Sequence, residues 1–384
     1  MFPYIFIIII LLIGAIAEVF GIKKNAKIYF VMSASIIAIF AGLRYKTGAD
    51  WSIYVPSFYE MPKLGNIENW EVGYYWINLV FYHVFGNYYV LQFVASVFLL
   101  YSVAKFFWRF TDYPMMSLLL FFMIFIYNDI LMAQVRQSVA LAILLFSYEY
   151  ILNKSLGKFV LIVILACLFH ISALVVLPMY FMTKIIPNYI LIVLVLLFQI
   201  FYFVPETTAY IVKFFLPYMP DRLERIGNIY VNDVLFGGKS EFNTGLYYIA
   251  GVLLSVIVIY FISDKDERKS FLLNSLAIAM IIDALSTSMF ILGRFQAYYL
   301  IFAVSAYSLM FNIKIRWITQ KTSNLIIMLL LFSFFYVQLH LRLTSNKEET
   351  SVSSSTINEN SLNPYYNVIY HPEEADFRKD WTEE

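Results

Sequence analysis

The sequence predicts an all-α integral membrane protein with about twelve transmembrane helices, and two features of its composition support this class. Of the 384 residues, 61% are hydrophobic and only 14% are charged, whereas a soluble domain carries about 25% charged residues. Aromatic side chains make up 19% of the chain, with 37 Phe and 31 Tyr. A surface this apolar is unstable in water but is well solvated by lipid.

Net charge and cysteine content exclude several other classes. The formal net charge is +1 and no basic stripe is present, so nucleic acid is not expected as a partner. The single cysteine, Cys167, lies in an apolar run, which excludes an internal disulfide and a cysteine-rich metal site. No two histidines stand at ligand spacing, so a protein-bound catalytic metal is not expected. No other cofactor is predicted either.

Apolar runs of about 20 residues mark the helices that cross the bilayer. The first run is too long for a cleavable signal peptide and lacks a basic start, so we interpret it as the first span. The predicted spans are 2–22, 28–43, 88–108, 113–128, 135–152, 188–204, 243–262, 270–290, 296–313 and 323–341.

The apolar run 158–183 admits two arrangements, either one long helix or two short helices that turn near His170. Positive charge in short loops marks the cytoplasmic side. All the basic clusters share one side only if the chain crosses twice between Lys158 and Lys184. This favours the two short helices, with His170 at the outer turn. The clusters are Lys23/Lys24/Lys27, Lys105/Arg109, Lys154/Lys158, Lys184, Lys265/Arg268/Lys269 and Lys314/Arg316/Lys321.

The same topology places the remaining segments outside. It makes 72–86 an interfacial or re-entrant helix, because a crossing there would invert the sides and its Tyr and Trp residues suit the interface. The predicted organisation is a transmembrane domain, 1–341, with outer loops 44–87 and 205–242. A polar tail, 342–384, follows on the outer side and carries aromatic residues near its end.

Three arginines lie at the predicted outer ends of spans, where positive charge is not expected. Arg44 follows the second span, Arg136 begins the fifth, and Arg294 lies between two later spans. Guanidinium groups are permanently charged and bind phosphate oxygens through paired hydrogen bonds. Together they predict a site for a lipid-linked phosphate or pyrophosphate. The alternative is that each arginine snorkels to the interface and contacts lipid headgroups.

Two groups could accept a proton near these arginines. An unperturbed histidine has a pKa near neutrality, so His170 suits removal of a proton from a sugar hydroxyl. Alternatively, it could simply make an interhelical hydrogen bond. Asp50 could act as a general base or hold an arginine, or it could be a solvated acid at the Gly48 turn. Glu71 is interpreted as an acid at a helix N-terminus, where it stabilises the helix dipole.

Asp283 lies within a predicted span. A carboxylate at that depth usually faces the interior of a helix bundle, so this residue best fits an ion-coupled transporter, and it could also orient Arg294. The sequence contains no phosphate-binding glycine loop, which argues against an ATP-driven transporter.

Short motifs along the chain resemble those of a known family. In chain order they are Arg44, Gly48, Asp50 and Tyr54; Gly73, Tyr74 and Asn78; Arg136 and Gln137; Phe169, His170 and Ser172; Gly293, Arg294, Phe295 and Tyr298; and Asn363, Pro364 and Tyr365. In this order and spacing they resemble EpsG-type proteins, a branch of the Wzy-like polysaccharide polymerases. The resemblance covers residues 44 to 366, although 184–290 carries almost none of it.

The resemblance implies a multi-pass, metal-independent glycosyltransferase of the C-type architecture in the bacterial cytoplasmic membrane. It would polymerise oligosaccharide repeat units carried on undecaprenyl pyrophosphate, for O-antigen, capsule or exopolysaccharide, on the outer face. Donor and acceptor would both be lipid-linked glycans, and a chain-length regulator protein is a further expected partner. The predicted catalytic residues are His170 and Asp50; the pyrophosphate-binding residues are Arg44, Arg136 and Arg294; and the supporting residues are Gln137, Tyr54, Tyr298 and Glu71.

Three other functions stay open at this point. The protein could be a flippase or transporter of lipid-linked glycans, a ligase that moves the glycan to another acceptor such as lipid A core, or a non-enzymatic partner in polysaccharide export. Cells lacking a polymerase would carry single repeat units on the final carrier. Cells lacking a flippase would expose nothing, and cells lacking a ligase would keep long chains on the lipid.

Overall fold

The computed structural model of the chain is built from α-helices. It describes residues 2–22, 24–48, 50–64, 70–128, 130–204, 206–218, 228, 245–262, 266–286, 292–313, 317–345 and 366–367. The α-helices are α1 (Phe2–Val19), α2 (Ala26–Gly42), α3 (Trp51–Leu64), α4 (Val72–Phe85), α5 (Tyr88–Phe110), α6 (Pro114–Tyr127), α7 (Val135–Leu145), α8 (Tyr148–Leu152), α9 (Leu156–Cys167), α10 (Asn188–Phe198), α11 (Ile200–Phe203), α12 (Glu206–Phe215), α13 (Gly245–Phe261), α14 (Glu267–Ser286), α15 (Gly293–Ser308) and α16 (Gln320–Ser345). The 3-10 helices are Ile171–Phe181, Leu216–Tyr218 and Leu309–Asn312, and two short strands are β1 (Arg44–Tyr45) and β2 (Tyr366–Asn367).

The helices confirm the predicted all-α membrane class, and each predicted span coincides with one helix or with consecutive helices. In the described part of the chain, five helices are long and apolar enough to cross a membrane: Phe2–Val19, Tyr88–Phe110, Val135–Leu152, Glu267–Ser286 and Gln320–Thr344. Six more are apolar but shorter: Ala26–Gly42, Pro114–Tyr127, Leu156–Cys167, Ile171–Phe181, Asn188–Phe203 and Gly245–Phe261. The last helix runs to Ser345, slightly beyond the predicted start of the tail.

Apolar side chains cover these helices on more than one face, which a soluble bundle would not tolerate. Helix α1 buries Tyr4 and Leu11 while Phe6 and Ile9 stay exposed. In helix α6 every residue of 115–126 is buried. This pattern suits helices with protein on one side and lipid on the other, or with protein all round.

The segment 158–183 forms a hairpin with its turn at His170. Helix α9 ends at Cys167, and the 3-10 helix begins directly after the histidine. The ring centroids of Phe159 and Tyr180 are only 5.6 Å apart, whereas one continuous helix would separate these residues by about 30 Å. The two short helices predicted from the charge pattern are therefore present, and the single long helix is excluded.

The predicted outer loop 44–87 contains more structure than the sequence analysis indicated. Residues 51–64 form helix α3, although Pro56 and Pro62 lie inside it and proline disfavours a helix interior. Helix α4 lies where the interfacial helix was predicted. Among the described residues, helix α4 belongs neither to the five helices that could cross a membrane nor to the six shorter apolar helices.

Helices α3, α4 and α5 pack through many aromatic side chains, together with aliphatic residues such as Val55 and Leu91. Their buried aromatic residues are Tyr54, Phe58, Tyr74, Tyr75, Tyr88 and Tyr89. Most of the ring contacts are tilted or edge-on, as between Phe58 and Tyr88 at 5.9 Å, which is the arrangement that aromatic pairs prefer. This packing positions the start of α4 and the start of α5 in one region.

Two glycines allow close approach of backbone segments in this region. Gly48 has a φ of +89°, and a Cβ there would lie 2.6 Å from the carbonyl oxygen of Met132. At Gly73 a Cβ would lie 2.8 Å from the carbonyl oxygen of Leu168, and the Gly73 N–H donates a hydrogen bond to that same oxygen. The loop after β1 thus meets the start of α7, and the start of α4 meets the turn before His170.

The chain divides into two compact units. The first comprises Met1–Ser147, Leu161–Ile171 and Met328–Glu384, and the second comprises Tyr148–Val160 and Ser172–Ile327. The first unit contains β1, α3, α4 and the start of α7, and it therefore holds most of the predicted site residues. Arg294 and Tyr298 belong to the second unit.

Replacing Gly48 by alanine should lower the stability of the fold. A left-handed φ costs about 1–2 kcal/mol for a residue with a side chain, and the new methyl group would press on Met132. The measurement is the thermal midpoint of the purified protein in detergent. Gly157→Ala is the matched control, because nothing lies within 4 Å of a Cβ at that helical position. Equal midpoints for the two variants would contradict the close approach at Gly48.

Candidate functional site

A continuous set of polar contacts in the first unit joins side chains that the sequence analysis had singled out separately. The Tyr54 hydroxyl donates to Asp50 Oδ2 at 3.3 Å and accepts from Arg136 Nε at 3.3 Å. Arg136 Nη1 donates to Glu71 Oε2 at 2.8 Å. Glu71 Oε1 lies 3.1 Å from His170 Nδ1. We call these residues, Asp50, Tyr54, Glu71, Arg136 and His170, the Glu71 network.

Glu71 has a larger role than the sequence analysis assigned to it. It precedes helix α4, but its carboxylate makes no capping hydrogen bond there. One carboxylate oxygen pairs with Arg136, while the other faces His170 and the backbone N–H of Ile171 at 3.4 Å. Glu71 thus stands at the N-terminus of helix α4, as predicted, and its side chain also bridges a guanidinium and an imidazole. Its place among the supporting residues stays a prediction.

Glu71 remains ionised at any physiological pH. Burial alone would raise the pKa of its carboxyl group, but the hydrogen bond with His170 and the charge of Arg136 outweigh burial and hold the pKa at about 2. A carboxylate with so low a pKa is a weak base. Glu71 therefore suits the task of holding its two partners rather than the task of accepting a proton.

Arg136 lies among aromatic rings at the start of helix α7. The centroids of the Trp70, Tyr54 and Tyr74 rings are 4.9, 5.5 and 5.9 Å from its guanidinium carbon, within the range of cation–π attraction. Its side chain is 20% exposed. Its hydrogen bonds to the described residues use Nε and Nη1, and its anion-binding role stays a prediction.

His170 is oriented by Glu71 and by the hairpin turn. An ionised carboxylate can only accept hydrogen bonds, so the Nδ1 proton is donated to Glu71 and the basic nitrogen of the neutral ring is Nε2. A carboxylate on the far side of an imidazole fixes the ring and stabilises its protonated form. The Leu168 carbonyl accepts from the N–H groups of Gly73 and Tyr74, which joins the hairpin turn to the start of α4.

Arg44 is only 4% exposed and is anchored inside the protein. Its Nη1 donates to the carbonyl oxygen of Ala41 and lies 3.5 Å from Ser96 Oγ. Its own carbonyl accepts a hydrogen bond from Gln92 Nε2 at 2.8 Å. The side chain of Arg44 thus contacts Ala41 on helix α2 and Ser96 on helix α5. This burial disagrees with the alternative in which Arg44 snorkels to lipid headgroups.

Arg44 lies beside the Glu71 network. Tyr88, at the start of helix α5, is buried, and its hydroxyl is within electrostatic reach of Arg44, Tyr54 and Asp50. Gln137, the neighbour of Arg136 on α7, is buried as well. The first unit thus contains two arginines, two carboxylates and a histidine: Arg44, Arg136, Asp50, Glu71 and His170. Their action as one site stays a prediction.

The C-terminal segment reaches the same region, a feature that the sequence analysis did not foresee. Strand β2 pairs antiparallel with β1, so that Asn367 is opposite Arg44 and Tyr366 is opposite Tyr45. In the sequence, the aromatic residues near the end of the tail were the one indication that this segment packs against the rest of the protein. The motif residues 363–365 lie outside the described residues.

The remaining predicted residues lie in the second unit. The Tyr298 hydroxyl is 2.9 Å from Ser172 Oγ, so it contacts the second half of the His170 hairpin. Arg294 lies in the first turn of α15, and its convergence with Arg44 and Arg136 stays a prediction. Asp283 hydrogen-bonds the Gln296 side chain, and its orienting action on Arg294 stays a prediction as well.

These features define a multi-pass membrane protein with a fixed arginine, a carboxylate–histidine pair and a second buried arginine in one site suited to an anionic substrate. A family model described as the EpsG family matches residues 27–352, and the chain therefore belongs to the EpsG family. Its role is accordingly of the polysaccharide-polymerase type, in polysaccharide biosynthesis at a membrane. Comparisons with curated proteins and with solved structures gave no match.

Glu71→Gln should lower the free energy of unfolding by about 3 kcal/mol, the range for removing one partner of a buried ion pair, because Arg136 would stay desolvated without its counter-charge. Glu267→Gln is the matched control. The carboxylate of Glu267 pairs with Lys154 at 2.9 Å with both side chains half-exposed, so its loss should cost less than about 1 kcal/mol. Denaturation of both variants in detergent provides the comparison, and equal losses would contradict a buried Glu71 pair.

The stabilising effect of Glu71 should also depend on pH in a defined direction. Its pKa in the folded protein is lowered from 4.5 to about 2, so its contribution is fully present above the unfolded value and is lost as the pH falls towards 2. The difference in thermal midpoint between the wild type and Glu71→Gln should therefore shrink below about pH 4.5. An undiminished difference near pH 2 would contradict this assignment.

Proposed function

We propose that the protein polymerises oligosaccharide repeat units carried on undecaprenyl pyrophosphate, at the outer face of the bacterial cytoplasmic membrane. In this proposal it is a metal-independent C-type glycosyltransferase with about twelve spans, and both donor and acceptor arrive through the bilayer. The observation that carries the proposal is the contact of Glu71 with both Arg136 and His170. This contact supports the proposal because a guanidinium can bind phosphate and an imidazole can accept a proton, and the chain belongs to the EpsG family.

The reaction joins an acceptor sugar to the first sugar of the donor chain. The acceptor hydroxyl oxygen attacks the anomeric carbon of the donor, and the bond from that carbon to the pyrophosphate oxygen breaks. The hydroxyl proton passes to a base, and the lipid pyrophosphate leaves as an anion. Negative charge therefore grows on the leaving group, and a fixed positive charge that meets it there lowers the barrier.

Arg136 is the residue that we assign to the leaving pyrophosphate. Its guanidinium is held by Glu71, by the Tyr54 hydroxyl and by aromatic rings, so it does not need to reorganise as the charge develops. Arg44 contributes a second positive charge from its buried position beside β1, and Arg294 completes the predicted set. Surrounding aromatic rings exclude water, and electrostatic interactions are stronger in such a medium.

His170 is the residue that we assign as the base. Its Nδ1 donates to ionised Glu71, so Nε2 takes the proton from the acceptor hydroxyl and Glu71 stabilises the resulting imidazolium. Asp50 accepts a hydrogen bond from Tyr54, which in turn accepts one from Arg136. Asp50 therefore suits the role of holding Tyr54 and the arginine.

Arg136→Ala should lower the rate of polymer formation by about 100-fold or more, as for the loss of one fixed donor at a developing charge. Arg136→Lys keeps the charge but loses the planar fork, so its rate should fall between the rates of the wild type and of Arg136→Ala. Arg109→Ala, at the far end of α5, is the control for loss of an arginine. The readout is the ladder of chain lengths in cells with equal amounts of each variant in the membrane. A wild-type ladder from Arg136→Ala would refute the role of this arginine.

His170→Ala should lower polymerisation by about 100-fold or more, the range for loss of a general base, whereas Asp50→Asn keeps an acceptor for Tyr54 and should cost less. The exposed His83 on α4 provides the control variant His83→Ala. Chain-length ladders again provide the measurement. If Asp50→Asn abolishes polymer and His170→Ala does not, the two roles are exchanged. If neither change matters, the deprotonation step is wrong.

Deletion of the protein tests the function as a whole. Cells without it should carry single repeat units on the final carrier, because export and transfer still operate. Absence of any exposed glycan would indicate a flippase instead. Long chains that stay on the lipid carrier would indicate a ligase.

A further inference from the structure

A strand from the C-terminal tail lies against the strand that carries Arg44. Strand β2 pairs antiparallel with β1, with Asn367 opposite Arg44 and Tyr366 opposite Tyr45. Among the described residues the sheet consists of these two strands alone. Backbone N–H and C=O groups away from water need hydrogen-bond partners. The backbone of β2 supplies such partners to the backbone of β1, whereas a helix uses its own backbone groups internally.

Helix α5 holds β1 as well, through a side chain. Gln92 Nε2 donates to the carbonyl oxygens of Gly42 and Arg44 at 2.9 and 2.8 Å. The Tyr45 ring lies 5.5 Å from the ring of Tyr89 on the same helix. Arg44 therefore occupies a position that is set jointly by α5 and by β2, and removal of β2 would leave only the side-chain contacts.

The backbone directly after β1 adopts a conformation that needs external support. Lys46 has a φ of 45° and Gly48 a φ of 89°, so a residue with a side chain stands in the left-handed region. Such a conformation costs on the order of 1 kcal/mol or more and persists only where surrounding contacts hold it. Pairing of β1 with β2, immediately before this turn, is one such contact, and the turn leads to Asp50.

The family match does not account for this pairing. The family model ends at residue 352, whereas β2 begins at Tyr366. The pairing therefore lies beyond the residues that the family model matches, although the motif at 363–365, which carries part of the resemblance, directly precedes β2. It involves Arg44, the first residue of the proposed site.

We propose that Tyr366 and Asn367 are positioning residues of the polymerase, which hold Arg44 in place through the backbone pairing of β2 with β1. This inference rests on the proposed function, because it assigns the two residues a task in that reaction. They act through Arg44 and the loop to Asp50, and they touch no substrate themselves. Loss of β2 should therefore lower the turnover number but leave the folding of the helices unchanged.

A pair of double variants separates backbone pairing from side-chain contacts. Tyr366→Pro with Asn367→Pro removes both N–H groups and so disrupts a strand pair. Tyr366→Thr with Asn367→Thr also removes both native side chains but keeps strand propensity. The proline pair should lower kcat by up to about 100-fold, as for a displaced catalytic group, with KM for the lipid-linked repeat unit almost unchanged. The threonine pair should stay near the wild type. Equal activity of the two double variants would overturn the inference.

Truncation gives an independent test with its own control. A chain that ends after Asn367 keeps β2 and should polymerise at the wild-type rate. A chain that ends after Ser345 lacks β2 and should show the same loss of kcat as the proline pair, at an equal level in the membrane. Wild-type turnover from the shorter chain would overturn the inference.

Cross-linking tests the pairing without reference to activity. In a Cys167→Ser background, Tyr45→Cys with Tyr366→Cys should form a disulfide on mild oxidation of membranes, because opposed residues of an antiparallel pair lie about 4.5–5.5 Å apart at Cα. Asn25 lies at the start of α2, so the control pair Asn25→Cys with Tyr366→Cys should form no disulfide. Absence of the first cross-link overturns the inference and leaves the proposed function standing. A cross-link in a protein that extends no lipid-linked glycan overturns the proposed function and the positioning role, while the pairing itself stands.

Discussion

The ion pair between Glu71 and Arg136 is the interaction on which the candidate site depends. An unpaired arginine within a membrane protein costs about 3 kcal/mol on insertion scales, and Glu71 offsets that cost at 2.8 Å. The second carboxylate oxygen is used as well, since it faces His170 and the N–H of Ile171. One side chain thus holds both the guanidinium of Arg136 and the imidazole of His170.

This arrangement depends on how closely the backbone segments approach one another. Glu71 reaches His170 because Gly73 lets the start of α4 contact the Leu168 carbonyl directly. In the same way Gly48 lets the loop after β1 contact Met132, close to the start of α7 and Arg136. A side chain at either glycine would force these segments apart, so the backbone contacts set the distances between the charged groups.

The charge balance of the site follows from the same contacts. Glu71 cancels the charge of Arg136 at long range, but the guanidinium keeps a directed donor at Nη2. In the proposed reaction Arg44 adds a second positive charge from a buried position. Hence the position of Arg44 matters to the proposed chemistry, and with it the contacts of β1 with β2 and with helix α5.

The sequence by itself determined the all-α membrane class, the apolar segments that form helices and the hairpin at His170, because apolar run length and loop charge are set by the bilayer. It also predicted Arg44, Asp50, Arg136 and His170 as site residues. Only the tertiary structure showed that Glu71 bridges two of these residues, that 51–64 is helical despite Pro56 and Pro62, and that β2 pairs with β1. These features rest on contacts between segments far apart in the chain, and neither periodicity nor composition records which distant segments meet.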